Sequence, residues 1–423
     1  MSTLPAHAQP DEVPIPILIK KNTLLLAITQ AITGAGTQLV PALGAIQVVA
    51  LLGNATFAGL TTSLMGLARM AIAYPVGRLT DARGRKVGVF LGLWLALVGS
   101  LTVGLATLMG SFALFCVGIL LFGGGVGAIQ QMRVAAADMY PPSKRAEGMS
   151  LILMGSLFGA GISPAVVGIA GRLANRWNLN DIALAWLLVP VLVLPCFLLI
   201  ASIRPDPKSI GQNLGAYYPA WALGLRAELN GSLERSGQGR IRSTAILAAV
   251  AVQGQMSMLM AMTALALKRQ DCSLPLISLS VAIHVIGMFA LSWPIGRLAD
   301  RLGRKPTALL GLGVSALGAL LVGLGHTYLL ITSGTFLVGI GWAGAYLSAN
   351  TMLTDITPTA QRGQAVGVLE LWSNLAGMAL PLLGGLVVGQ FGLSVLGFFG
   401  VGVTLLPVLA MARVREVTPG SYT

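Results

Sequence analysis

Runs of about 20 apolar residues, each long enough to cross a hydrocarbon core of about 30 Å, recur along the whole of this 423-residue chain. No soluble core accommodates them: hydrophobic residues make up 55% of the chain and charged residues only 10%. In lipid, backbone polar groups must be satisfied within helices or closed barrels, and a barrel would show short alternating segments instead. The fold class is therefore an all-α membrane protein. Twelve spans are expected, at 23–51, 55–77, 87–109, 111–138, 147–171, 183–203, 244–267, 273–296, 306–325, 327–354, 363–388 and 391–412. Residues 1–22 are polar, without the charged start, short apolar run and small-residue site of a signal peptide, so the first span is expected to be retained.

Basic residues orient the spans. With both ends in the cytoplasm, 21 of the 27 Lys and Arg residues fall on that side. The exceptions are Arg69 and Arg133 within spans, and Arg172, Arg176, Lys268 and Arg269 beyond them. The net charge of +13 then reflects topology and anionic headgroups, with no soluble basic domain for nucleic acid. Cys116, Cys196 and Cys272 show no disulfide framework or metal-ligand spacing, and no cofactor is expected.

One phrase appears twice. Residues 77–86 read GRLTDARGRK and residues 296–305 read GRLADRLGRK, identical at seven of ten positions. An even number of spans must separate two copies on one side of a membrane, and six do. The similarity continues: DMYPPSKR (138–145) aligns with DITPTAQR (355–362), and Pro164 with Pro381. The chain thus reads as two parallel six-helix repeats related by an axis along the membrane normal. Transporters of this construction bind substrate near midplane between the halves. The organisation is an N-terminal tail (1–22), a first half (23–203), a central cytoplasmic loop (204–243), a second half (244–412) and a C-terminal tail (413–423).

These residues resemble the signature of the major facilitator superfamily, found between helices 2 and 3 and again between helices 8 and 9. Length, span count and central loop fit along nearly the whole chain. Ala82 departs from the usual basic residue; Arg301 keeps it. The resemblance implies a cytoplasmic latch, made and broken as the halves rock, from Gly77, Asp81, Gly84, Arg85, Lys86, Asp138 and Arg145. Gly296, Asp300, Gly303, Arg304, Lys305, Asp355 and Arg362 repeat it. Read chemically, Gly77 and Gly84 suit a tight turn or a close backbone approach. Asp81 suits a helix N-terminus, and Arg85 and Lys86 can reach Asp138. The alternative is a topology signal alone. In helix 5, GAGISPAVVG (159–168) partly resembles the Gly-Pro motif of the family's proton-coupled drug antiporters, with Ser163 and Val167 in place of glycines.

Ionisable groups inside a bilayer are functional candidates by default. Arg69 is either an anion partner in a cavity or a structural partner of Glu370. Arg133 either snorkels to the headgroups or, with Gln130, faces the cavity. Glu370 is the one carboxylate well inside a span. It shares a helical face with Ser373, Asn374 and Gly377, a face that suits a wet cavity wall with Asn374 toward the substrate, and is either the proton-coupling group or half of a fixed pair with Arg69 or Arg133. Gln30, Thr33, Thr37 and Gln38 form a polar stripe on helix 1, suited to a cavity wall or to helix–helix hydrogen bonds. Gln253 and Ser257 share a face of helix 7. His284 either titrates or holds a structural hydrogen bond. In the central loop, 217–229 suits a surface helix with Tyr217, Tyr218 and Trp221 at the interface.

No nucleophile–base set, metal cluster or phosphate loop appears, so an enzyme is not expected. The reading is a monomeric secondary transporter in the plasma membrane, a bacterial inner membrane, whose partners are lipid, a small-molecule substrate and protons. Proton-coupled export of apolar or cationic compounds is favoured. The alternatives are uptake or exchange of a small organic anion through Arg69, and a non-transporting sensor on the same scaffold.

Overall fold

Two groups of six spans face each other across a central cavity in the computed structural model, which describes residues 14–141, 144–219, 238–357 and 362–414. The first span is α1 (Ile17–Thr37) continued by α2 (Leu39–Leu52). Then come α3 (Leu60–Arg83), α4 (Arg85–Met109), α5 (Phe112–Ile129) continued by α6 (Gln131–Met139), α7 (Arg145–Trp177) and α8 (Asp181–Ala201). A short α9 (Pro207–Gln212) begins the connection between the halves. The second half holds α10 (Gln238–Arg269), α11 (Leu274–Phe289) continued by α12 (Ser292–Leu302), α13 (Arg304–Gly323), α14 (Tyr328–Asp355) and α15 (Arg362–Ala412). Gly392, at φ 84°, divides α15 into the last two spans. Eleven of these spans are long and apolar enough to cross a membrane by composition. The twelfth is α3, whose Arg69, Arg78, Asp81 and Arg83 dilute its hydropathy. Several helices outrun the apolar stretches, as at Ile17 and Trp177, because the backbone keeps hydrogen-bonding through the headgroup layer.

Among the described residues three spans are broken within their length. Pro41 cannot donate to the Thr37 carbonyl, and the chain turns at Gln38 between α1 and α2. Pro294 does the same to Ala290 between α11 and α12. Between α5 and α6 the turn tightens at Gln130, whose carbonyl accepts from the Arg133 N–H at 3.1 Å. Transporter sites are typically built from such discontinuous helices.

The repeat extends into the packing. A Cβ on Gly92, Gly99, Gly118 or Gly125 would lie within 3.0 Å of backbone on the facing helix of the α4–α5 pair. The same is true of Gly311, Gly318, Gly334 and Gly341 on α13 and α14. Backbone approach of this kind is how membrane helices pack without a hydrophobic driving force.

Contacts between the halves concentrate at the face away from the termini. There the Ser63 hydroxyl donates to the Met378 carbonyl, a Cβ on Gly59 would strike the Pro381 carbonyl, and Thr56 packs on Gly385 and Gly389. Between α7 and α11 the hydroxyls of Ser163 and Ser278 lie 3.1 Å apart, so one departure from the antiporter motif forms a hydrogen bond across the halves. Tyr74 lies three turns beyond Ser63 on the same face of α3, and is 73% exposed. Leu371, two turns before Met378 on α15, is 52% exposed. The halves therefore meet at one face and part toward the face that bears the termini.

Candidate functional site

The cavity between the halves has a volume of about 280 Å³. From the first half it is lined by Gln30, Thr33, Thr37 and Gln38 of the broken first span, Arg69 of α3, and Gln130 and Arg133 at the α5–α6 turn. From the second half it is lined by Gln253 and Ser257 of α10, and by His284 and Phe289 of α11. The hydroxyls of Thr33 and Thr37 donate back to carbonyls of their own helix, Thr29 and Thr33. Gln30 Nε2 donates to Ser156 Oγ at 2.9 Å. Gln253 Oε1 accepts from the Trp342 indole at 2.8 Å. His284 Nδ1 lies 2.7 Å from the Thr335 carbonyl. A carbonyl only accepts, so Nδ1 carries the proton and Nε2 of the neutral ring is an acceptor. The methionines of α10 divide by face: Met256 and Met260 line the cavity, while Met258 and Met262 are fully buried in the second half's core.

The two arginines dominate the electrostatics. Arg69 and Arg133 lie within electrostatic reach of each other. Arg69 Nη2 has only a contact of 3.7 Å with the Met65 sulfur. The Nε–H groups of both are buried without an acceptor, and Gln130 Oε1 is buried without a donor. Among the described residues neither arginine forms an ion pair, and no carboxylate lines the cavity.

Two residues expected at the cavity stand elsewhere. Glu370 and Asn374 do not line it, and both are exposed. Gly377 on the same helical face packs on Ser257 and Gln253 at cavity level. Glu370 is seven residues nearer the open face, about 10 Å along the helix, where the halves have parted. Its Oε1 accepts from the Tyr346 hydroxyl at 2.8 Å. The arginine it influences is Arg133, not Arg69. Sequence reasoning missed Tyr346 and Trp342, whose helical positions carry no charge signal.

At the terminus-bearing face the duplicated phrase forms similar structures in both halves. Gly84 and Gly303 take φ of 102° and 101°, a conformation that side chains with a Cβ rarely adopt. Gly77 and Gly296, by contrast, are helical and make no turn. Arg85 Nε donates to Asp138 Oδ2 at 2.7 Å, and Arg304 Nε to Asp355 Oδ2 at 3.3 Å. Lys86 Nζ donates to the Ile203 carbonyl at the end of α8, and Lys305 Nζ to the Val414 carbonyl after α15. All these contacts stay within one half. The side chains of Arg145, Asp300 and Arg362 lie outside the described residues.

Asp81 is not at a helix N-terminus. It is 70% exposed and pairs with Arg85, one turn on. The N-terminus of α4 is capped instead by Asp206, whose carboxylate accepts from the backbone N–H of Arg85 at 3.0 Å and of Lys86 at 3.1 Å. The same residue caps α9 through the Lys208 N–H at 2.9 Å. An Asp before a Pro was a legible N-cap signal for α9, but nothing local marks its reach to α4. Asp206→Ala is expected to cost about 1–2 kcal/mol, read as a lowered melting temperature. Tyr218, expected at the interface, is buried and donates to the Met139 carbonyl at 3.0 Å. Most of the expected surface helix at 217–229 lies outside the described residues.

Two six-helix repeats, broken spans around a central cavity and a paired signature turn define an architecture that the family comparison decides. The model of the Major Facilitator Superfamily matches residues 26–229 and 244–422. The chain belongs to the Major Facilitator Superfamily. It is 28% identical over 408 residues to the uncharacterized transporter YdeG of Bacillus subtilis, covering 94% of this chain and 93% of that one. It is 26% identical over 363 residues to the riboflavin transporter RfnT of Brucella anthropi, covering 82% and 84%. The solved structure of the Escherichia coli xylose transporter XylE superposes with a TM-score of 0.71 at 15% identity, covering 96% and 98%. As a superfamily member the chain is a multi-pass membrane transporter and not an enzyme.

Proposed function

We propose that this superfamily member is a secondary transporter that moves a small organic anion by alternating access. The observation that carries this reading is the pair of cavity arginines whose Nε–H groups are unpaired, in a cavity lined by no carboxylate among the described residues. Charge held inside a bilayer without an ion pair is expensive, and the Nε–Nη edge of a guanidinium is shaped to take a carboxylate side-on. A cation would enter a cavity already holding two positive charges, so the anion reading displaces export of cationic compounds. The match to a protein named as a riboflavin transporter supports an organic solute without identifying it. The excess of Lys and Arg makes the open, terminus-bearing face cytoplasmic in a plasma membrane. Glu370, held by Tyr346 opposite Arg133, is the group proposed to couple transport to protons.

Thermal stabilisation of the purified protein by a panel of organic acids, bases and neutral analogues tests the charge. Acids are expected to stabilise it. Arg69→Gln and Arg133→Gln should each weaken binding of a stabilising acid by about tenfold or more, a loss of at least ~1.4 kcal/mol. Arg133→Lys should not restore it, since lysine lacks the forked edge. Stabilisation by bases that survives both substitutions would refute the anion reading.

A further inference from the structure

We propose that the transported anion is a planar aromatic one, its ring carried on a strip of aromatic side chains in the second half while its charge meets the arginines of the first. This rests on the anion reading and adds the chemistry of the rest of the solute. Phe289 lines the cavity. Trp342 packs edge-on against it, with ring centroids 6.2 Å apart and planes at 73°. Tyr346, one turn further along α14 toward the open face, stacks on Trp342 at 5.0 Å and 14°. The strip therefore begins in the cavity wall and climbs toward the opening, ending within electrostatic reach of Arg133 on the other half.

The polar edges of these rings are already committed. The Trp342 indole N–H donates to Gln253 and the Tyr346 hydroxyl donates to Glu370. These bonds fix the rings in orientation, and both residues remain only half-buried. What the strip offers a passing solute is apolar ring surface, the partner that offset-stacked and edge-to-face arenes prefer. The cavity is thus two-sided: the arginines with Gln130 on one wall, Phe289 and methionine surface on the other, with Trp342 and Tyr346 continuing from Phe289 toward the opening. An aromatic acid satisfies both walls at once. An aliphatic acid satisfies the first and gains only non-directional burial from the second.

The test compares 2-naphthoate with its saturated analogue decahydro-2-naphthoate and with 2-naphthamide, by titration calorimetry on the purified wild type. The saturated acid has the same charge and is the greasier, so burial alone would make it bind at least as well. The expected result is that 2-naphthoate binds about tenfold tighter, the factor an aromatic contact supplies beyond burial. Trp342→Leu should erase that difference while leaving the saturated acid within about twofold of wild type, and Trp342→Phe should keep most of it. Equal binding of the two acids to wild type overturns the inference and leaves the anion reading standing. A preference that survives both Trp342→Leu and Phe289→Leu overturns it too. Binding of 2-naphthamide as tight as that of 2-naphthoate would instead sink the anion reading, and failure of both acids to bind overturns both. Should Trp342→Leu not fold, the wild-type ratio still decides.

Discussion

Gly59→Val is expected to stop transport while leaving each half folded. Gly59 has ordinary helical dihedrals, so the backbone conformation does not call for glycine; the neighbour does. A Cβ at this position would lie 1.8 Å from the Pro381 carbonyl oxygen on the opposite half. No rotamer relieves that clash, because both partners are backbone, so α3 and α15 must separate. Overpacking of this kind costs about 1–3 kcal/mol and more when backbone is involved. The equilibrium between closed and open states of one face is itself only a few kcal/mol, and each 1.4 kcal/mol moves it tenfold. A population balanced in the wild type should shift to at least about 10:1 in favour of states open at the face away from the termini, with Gly59→Ala shifted in the same direction by less. Spin labels at Gly110 and His326, on exposed turns of the two halves at that face, should report longer separations in the variant. Unchanged distances together with unchanged flux would show that this contact is not the gate.

Length of apolar runs and a duplicated decapeptide were enough to read twelve spans and two parallel repeats, because hydrocarbon thickness and the six-span separation admit few other solutions. The helix 1 stripe of Gln30, Thr33, Thr37 and Gln38 was visible for a similar reason: side chains that cannot face lipid must face protein or a cavity. What periodicity cannot supply is the partner. It groups Glu370 with Ser373, Asn374 and Gly377, yet α15 leaves the cavity between Gly377 and Glu370 because the halves diverge there, a property of the conformation and not of the helix. Asp206 escaped notice because its second helix lies 120 residues away in sequence. Gly59 escaped because a glycine chosen for backbone approach looks, in a string of letters, like any other glycine in a membrane helix. Trp342 and Tyr346 read as ordinary span aromatics until their hydrogen bonds to Gln253 and Glu370 are seen.

Glu370→Gln is the substitution that separates coupling from structure. The carboxylate accepts from Tyr346 at 2.8 Å and lies within electrostatic reach of Arg133 on the opposite half. Glutamine keeps an acceptor for the tyrosine and mimics the protonated acid. Where Glu370 carries the coupling proton, exchange of solute between two sides at equal pH should persist, since exchange does not require the proton to leave. Accumulation driven by an imposed pH gradient should fall to none. A purely structural Glu370 gives a different pattern. Removing one member of an interacting charge pair leaves the other uncompensated, so the melting temperature of Glu370→Gln should drop and should recover in part when Arg133 is also replaced. Groups in contact typically couple by about 0.5–3 kcal/mol in such a cycle. Because Arg133 is also proposed to bind the solute, the double variant is scored by melting temperature alone, and flux is scored on Glu370→Gln by itself. Wild-type uphill transport by a well-folded Glu370→Gln protein would remove this carboxylate from the coupling mechanism. It would leave His284, whose Nε2 lone pair is free of the Thr335 hydrogen bond, as the next group in the cavity able to take a proton.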